Sequence, residues 1–341
     1  MSSPPRTPRT NAQIRLAARP TGLPGPECWS VAVEPVLPPA AGEVVVEVGY
    51  VSVDPGLRGW ISEGGSYVTA VPLGAVMRAF GVGRVVESAS EKIAVGSVVT
   101  GLLGVQEYSC IGADELSVHT GFETDPRLLG ALGFSGISAY LGLFEVARIR
   151  PGDTVVISGA GGAVGSVAGQ IARIHGCRVI GIAGGARKCA WLTDELRFDA
   201  AIDYKSEDVG LALERLAPNG VDVYFDNVGG RILEMVLERI AIGARVILSG
   251  TVSQWEPGDW RGLTNHRMLL VRRARMEGFL VFDHPARYEE AREAIANWID
   301  RGELVAREEI VAGGVRAFPD ALQSLFAGEN MGKRVVAVRG D

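Results

Sequence analysis

The stretch D-T-V-V-I-S-G-A-G-G-A-V-G, Asp153 to Gly165, decides how the chain is read. A β-branched run, Thr154 to Ile157, gives way to glycines, and an apolar-periodic segment from Val164 to His175 follows before Gly176 stops it. That order predicts a strand, a tight turn and a helix. Glycines let a ligand approach the backbone closely, and the unpaired N–H groups of a helix start favour a phosphate. The spacing is G-x-x-G-x-x-G, from Gly159, Gly162 and Gly165, because Val164 stands where G-x-G-x-x-G would need its third glycine. A glycine-rich turn that carries no nucleotide is the plain alternative at this point.

The next apolar run, Cys177 to Ala183, predicts a second strand. A unit built for NAD usually ends it with an acid for the ribose hydroxyls. Here Gly184 and Gly185 stand instead, Arg187 and Lys188 follow, and the first acid is Asp194. Cations attract a 2′-phosphate and an acid repels it, so this end favours NADP(H) over NAD(H). Surface cations at a helix start are the simpler explanation of the same residues.

Working outward, strands are expected at 154–158, 177–183, 200–204, 221–226, 244–249 and 276–281, with helices near 164–175, 186–195, 206–217 and 230–241. Six strands in a βαβ series give an α/β fold, a doubly wound parallel Rossmann domain with the glycine turn after its first strand. The first third reads as short strands, Val31 to Val33, Val44 to Val53, Gly81 to Glu87 and Ser97 to Thr100, before a helical pattern from Leu128 to Val146. Past the last α/β strand come an amphipathic helix, Ala286 to Arg301, a shorter one, Phe318 to Phe326, and a strand, Arg334 to Val338. The closing segment is expected to rejoin a mostly β substrate lobe, giving a split lobe of residues 1–133 and 312–341 around a dinucleotide domain of residues 134–311.

Composition removes several classes. With 341 residues and 47% hydrophobic content the chain can bury a sizeable core. A net charge of -6 offers no broad cationic footprint for nucleic acid. No apolar run nears the length of a membrane span, and the N-terminal S-S-P-P-R-T-P-R-T is followed by no apolar signal core, so a cytoplasmic protein is expected. The four cysteines are widely spaced and read as reduced thiols, and the histidines show no i, i+4 pair, so no metal is assigned. The nearest approach to a nucleophile elbow, Gly133 to Ile137, lacks its final glycine.

A series of short motifs then makes the reading specific: Val51 to Pro55, Ser66-Tyr67, Gly81 to Val85, Gly136 to Tyr140, Ala163 to Cys189, Tyr224 to Gly230, Arg275 to Phe279 and Asn330 to Lys333. In this order the chain resembles the medium-chain dehydrogenase/reductase superfamily, and within it the zinc-independent group of prostaglandin reductases, leukotriene hydroxydehydrogenases and curcumin-reductase-like enzymes. The resemblance implies a GroES-like β lobe, a homodimer, and NADPH-dependent reduction of the double bond conjugated to a ketone or aldehyde of a small substrate, with hydride added to the β-carbon. It also implies that Gly162, Ala163, Val164 and Gly165 hold the pyrophosphate and that Lys188 and Tyr204 hold the ribose phosphate. Asn227 would take the cofactor's sugar or diphosphate. Ser249, Gly250, Thr251, Val252 and Ser253, with Phe279, Leu280, Val281 and Asn330, would line the nicotinamide half.

One departure stands out. Where the group reads G-x-I-S-x-Y, with a tyrosine credited with stabilising the enolate, this chain has Gly250-Thr251-Val252-Ser253-Gln254-Trp255, and Gly56 replaces a second common tyrosine. The indole N–H of Trp255 can donate a hydrogen bond but not shuttle a proton, and Trp255 can equally be an apolar wall. Tyr67 is the other candidate donor. A quinone reductase of the same superfamily and an NADPH-binding protein without catalysis are the competing functions.

Overall fold

The first strands of the computed structural model, β1 (Thr10–Leu16) and β2 (Trp29–Pro35), pair antiparallel as a two-stranded sheet. The structure describes residues 9–62, 68–253 and 262–339. Strand β1 escaped sequence reading because its inward side chains include polar ones: Asn11 is buried, donates from Nδ2 to the Tyr108 carbonyl at 2.8 Å and accepts from the amides of Glu107 and Tyr108. A buried amide with its bonds satisfied is stable, but it breaks the apolar alternation on which a strand is recognised.

After them come β3 (Glu43–Val53), the one-turn helix α1 (Leu57–Trp60), β4 (Gly81–Ser88), β5 (Val98–Gly101), β6 (Tyr108–Gly112) and β7 (Ser117–Val118). The following stretch alternates α2 (Phe134–Leu141), β8 (Thr154–Ser158), α3 (Ala163–Ile174), β9 (Arg178–Ala183), α4 (Ala186–Ala190), β10 (Ala200–Asp203), α5 (Val209–Leu216) and β11 (Val221–Asp226). It continues with α6 (Gly230–Leu237), β12 (Ile240–Leu248), α7 (Arg267–Arg272), β13 (Arg275–Gly278) and α8 (Tyr288–Asp300). Last come β14 (Glu308–Val311), α9 (Phe318–Phe326) and β15 (Lys333–Ala337).

These elements divide into two units. Unit 1 comprises residues 1–129, 309–329 and 334–341; unit 2 comprises 130–308 and 330–333. In unit 1 a larger sheet runs β14-β15-β3-β4-β5-β7, with β6 on β3. Its core gathers Leu16, Val46, Val51, Met77, Leu103 and Phe318. In unit 2 six parallel strands run β10-β9-β8-β11-β12-β13. Their near-continuous apolar runs, such as Thr154–Ser158 with Val155, Val156 and Ile157 fully buried, are what a sheet covered on both faces requires. The strand order reverses direction at β8, and in such sheets ligands bind beyond the carboxyl ends of the strands at that point.

Two expectations need correction. The helix expected over 230–241 ends at Leu237, and β12 starts at Ile240, four residues before the expected strand. The Ile240 end of β12 pairs with Val221 across a register shift, which extends the strand through a helix-like apolar pattern. Asn330–Lys333, inside the stretch expected to rejoin the β lobe, belongs to unit 2. There the Gly332 amide donates to the Gly161 carbonyl at 2.9 Å, and the Lys333 amide to the Arg307 carbonyl at 2.9 Å.

Close packing of α3 on the sheet depends on one missing side chain. A Cβ on Gly169 would fall within the buried ring of Phe198. Gly169→Ala should therefore lower stability by about 1–3 kcal/mol through overpacking. Adding Phe198→Leu should return part of that loss, a non-additivity readable in denaturant melts of the single and double variants.

Candidate functional site

At the end of β8 the chain turns through Gly159, held at φ 57°, a conformation that costs glycine little. A Cβ on Gly165 would lie 2.5 Å from the Gly159 carbonyl oxygen and 2.8 Å from the Ala160 Cα, so the helix can approach the turn this closely only without a side chain. Gly162 is the N-cap of α3 and makes no side-chain cap. The amide of Ser166 bonds the Gly162 carbonyl at 3.0 Å, which leaves the N–H groups of Ala163, Val164 and Gly165 without intrahelical acceptors. Three such donors at the positive end of a helix dipole suit a phosphate. The intervening Gly161 is also constrained, since a Cβ there would be 3.1 Å from Cδ of Lys188. The aliphatic stem of Lys188 thus lies against the glycine turn.

Beyond β9 the chain passes Gly184 and Gly185, the latter at φ 94°. A Cβ on Gly184 would meet the Tyr204 hydroxyl at 2.9 Å and Cε of Lys205 at 3.0 Å. Sequence reading anticipated Tyr204 but missed Lys205, its exposed neighbour, and also Asp203. Asp203 ends β10, and its Oδ1 accepts the amides of Gly185 at 2.7 Å and Lys205 at 3.0 Å. The Gly185 amide above all holds this carboxyl below the usual carboxylate range. An acid is therefore close in space, but it is turned onto the backbone.

Beyond β11, β12 and β13 lies the other half of the site. Asp226, fully buried, accepts from the Ser158 hydroxyl at 2.8 Å, the Tyr224 hydroxyl at 2.8 Å and the amides of Val228 and Gly229 at 3.0 Å. Burial pushes its carboxyl above the ordinary range against the pull of these four donors, and burial likewise raises the Tyr224 phenol. Asn227 donates its amide to Ser158 Oγ at 2.9 Å and its Nδ2 to the Ser158 carbonyl at 2.8 Å. Ser249 and Gly250 donate to the Asp226 carbonyl at 2.8 and 3.1 Å, Val252 donates to Asn227, and Ser253 donates its amide to the Val228 carbonyl. A polar residue closing a strand just after its apolar run, Ser158 in β8 and Asp226 in β11, was the available signal for this network.

Phe279, Leu280 and Val281 follow β13. Gly142 leaves room for the Phe225 ring, whose Cε2 would be 2.5 Å from a Cβ there, and for the Phe279 ring, whose Cζ would be at 3.1 Å. Asn330, buried, donates Nδ2 to the Gly332 carbonyl at 3.0 Å, on the segment that crosses the glycine turn. All the expected cofactor residues thus follow strand ends of one sheet or lie on that segment. Trp255 and Tyr67 lie outside the described residues. Among the described residues no three His, Cys, Asp or Glu side chains gather as a metal site, so a zinc ion has no fitting donor set there.

The sequence matches two family models, the N-terminal domain of oxidoreductase over residues 12–118 and the zinc-binding dehydrogenase over residues 163–297. The chain is 36% identical over 338 residues to the NADPH-dependent curcumin reductase of Escherichia coli, covering 97% of this chain and 98% of the relative. It is 38% identical over 336 residues to the NADP-dependent 2-alkenal reductase of Nicotiana tabacum, with 96% and 98% covered. The structure of CurA from Vibrio vulnificus in complex with NADPH superposes with a TM-score of 0.91 at 36% identity, covering 97% of this chain and all of that one. The chain belongs to the medium-chain dehydrogenase/reductase family, in its zinc-independent branch with the curcumin, alkenal and prostaglandin reductases.

Proposed function

We propose that this protein uses NADPH to reduce the carbon–carbon double bond conjugated to a ketone or aldehyde. The observation that carries the reading is the pairing of an uncapped helix start at Gly162–Gly165 with two lysines, Lys188 and Lys205, against the glycines of the turn and of β9's end, in a chain whose full-length relatives include such reductases. When bound, NADPH supplies the hydride. The amides of Ala163, Val164 and Gly165 take the pyrophosphate, Lys188, Lys205 and Tyr204 the 2′-phosphate, and Oδ1 of Asn227 accepts from a ribose hydroxyl. Ser249 to Ser253, Phe279 to Val281 and Asn330 flank the nicotinamide half.

As the alkene is reduced, negative charge grows on the carbonyl oxygen, and a donor aimed at that oxygen lowers the barrier. The indole N–H of Trp255 is our assignment for it, with the Tyr67 hydroxyl as the second candidate. Our reading puts the protein in the cytoplasm, where its four free cysteines would stay reduced. Among the described residues no helix is long and apolar enough to cross a membrane.

The cofactor assignment is tested by titration. Lys188→Ala should weaken NADPH by roughly tenfold to a hundredfold, the worth of a charge-assisted bond, and leave NADH nearly unchanged. Equal losses for both would count against it.

The reaction is tested by following NADPH oxidation with a panel of enones and quinones and identifying the products. Saturated ketones from the enones carry the reading; turnover of quinones alone makes it a quinone reductase, and binding without turnover a non-catalytic protein. On the best enone, Trp255→Phe should lower kcat by about a hundredfold. An unchanged kcat there, with a loss in Tyr67→Phe, moves the donor to Tyr67.

The same reading includes a homodimer. Among the described strands β13 stands at the edge of its sheet beside β12, and an antiparallel copy centred on Met276 would set each exposed Arg275 against the other copy's Glu277. Light scattering should give the mass of two chains, and Glu277→Arg should shift it toward one.

A further inference from the structure

The segment Phe279–Leu280–Val281 is held from below by a residue that no motif singled out. Tyr288, the first residue of α8, donates its hydroxyl to the Val281 carbonyl at 3.0 Å. That carbonyl also accepts the His284 amide at 3.1 Å, and the Leu280 carbonyl accepts the Asp283 amide at 3.1 Å, so the segment bends at once into a 3-10 turn over Val281–Asp283. The Tyr288 ring stands edge-on to Phe134, centroids 5.5 Å apart, and Phe134 stands edge-on to Phe282 at 5.2 Å. Burial raises the Tyr288 phenol, so its hydroxyl stays a donor through the working pH range. At the other end of the segment the Phe279 ring, like that of Phe225, lies against Gly142, which opens a π-helical turn, Gly142–Ala147.

We infer that Tyr288 is a positioning residue for the nicotinamide half of the cofactor: its hydroxyl fixes the Val281 carbonyl and thereby the backbone of Phe279–Val281 against which that half rests. The inference rests on the NADPH reading above. Two contacts bear on the ends of the segment, the Phe279 ring against Gly142 and a hydroxyl on the Val281 carbonyl. Only the second can be removed without changing a ring. Without it the 3-10 turn keeps its own amide bonds, yet Leu280 and Val281 are free to shift. A dinucleotide must then order them on binding, which weakens affinity for the half that touches them and not for the adenosine half.

The test compares NADPH with 2′,5′-ADP, which carries the adenosine ribose and 2′-phosphate but no nicotinamide. Tyr288→Phe should raise the Kd for NADPH about threefold to tenfold, the worth of one hydrogen bond, and leave that for 2′,5′-ADP unchanged, with little change in Tm. Phe282→Leu, which disturbs the same aromatic cluster and keeps the hydroxyl, should lower Tm and leave the ratio of the two Kd values at its wild-type value. Equal effects on both ligands in Tyr288→Phe, or none on either, would overturn the positioning role. If the wild-type protein bound 2′,5′-ADP and NADPH equally well, the nicotinamide contact itself would fail and the inference with it. If it bound neither, the cofactor reading would fall first.

Discussion

One buried carboxylate ties the carboxyl ends of three strands together. Asp226 receives the Ser158 hydroxyl from β8, the Tyr224 hydroxyl from its own strand β11 and the amides of the turn that follows, while its main-chain carbonyl receives Ser249 and Gly250 at the end of β12. A carboxylate fully out of water is very costly without such donors, so the arrangement is held as a set. Because Ser158 also receives Asn227, the position of the glycine turn and that of the opposite side of the site are set by the same group. The chemistry proposed for the protein needs both held in place at once.

Around Gly184 and Gly185, where we propose that the adenosine end binds, the deciding matter is orientation, not composition. Asp203 is near enough to Gly184, Gly185 and Lys205 to oppose a phosphate, yet its Oδ1 is already engaged by two backbone amides. Charge spent on the backbone is less able to repel an incoming anion, while Lys188 and Lys205 lie along glycines that leave them space. A count of acids along the sequence misses this distinction, because which way a carboxylate points depends on the turn that receives it.

The parallel sheet was legible because its strands are apolar and β-branched, its helices amphipathic and its turns glycine-marked. Thr154–Ser158 and Val221–Asp226 are bounded as expected. What escaped reading is where a tertiary partner overrides a local pattern: β1 hides behind a buried Asn11, and the start of β12 hides behind an apolar run that also suits a helix. The site residues named from the sequence are those marked by glycine or by a motif. Ser158, Asp203, Asp226 and Tyr288 were not singled out: Ser158 and Asp203 act on main-chain groups distant in sequence, while Asp226 and Tyr288 act on turns close by whose shape no local pattern announces.

The return of residues 330–333 to unit 2 bears on how the protein is made. Gly161 receives its partner, the Gly332 amide, from a segment 171 residues further along the chain. During synthesis from the N-terminus the six-stranded sheet can assemble while its glycine turn still lacks that bond. The turn is completed only after residue 332 has left the ribosome, later than every strand of that sheet, so the dinucleotide site is finished after the sheet that carries it.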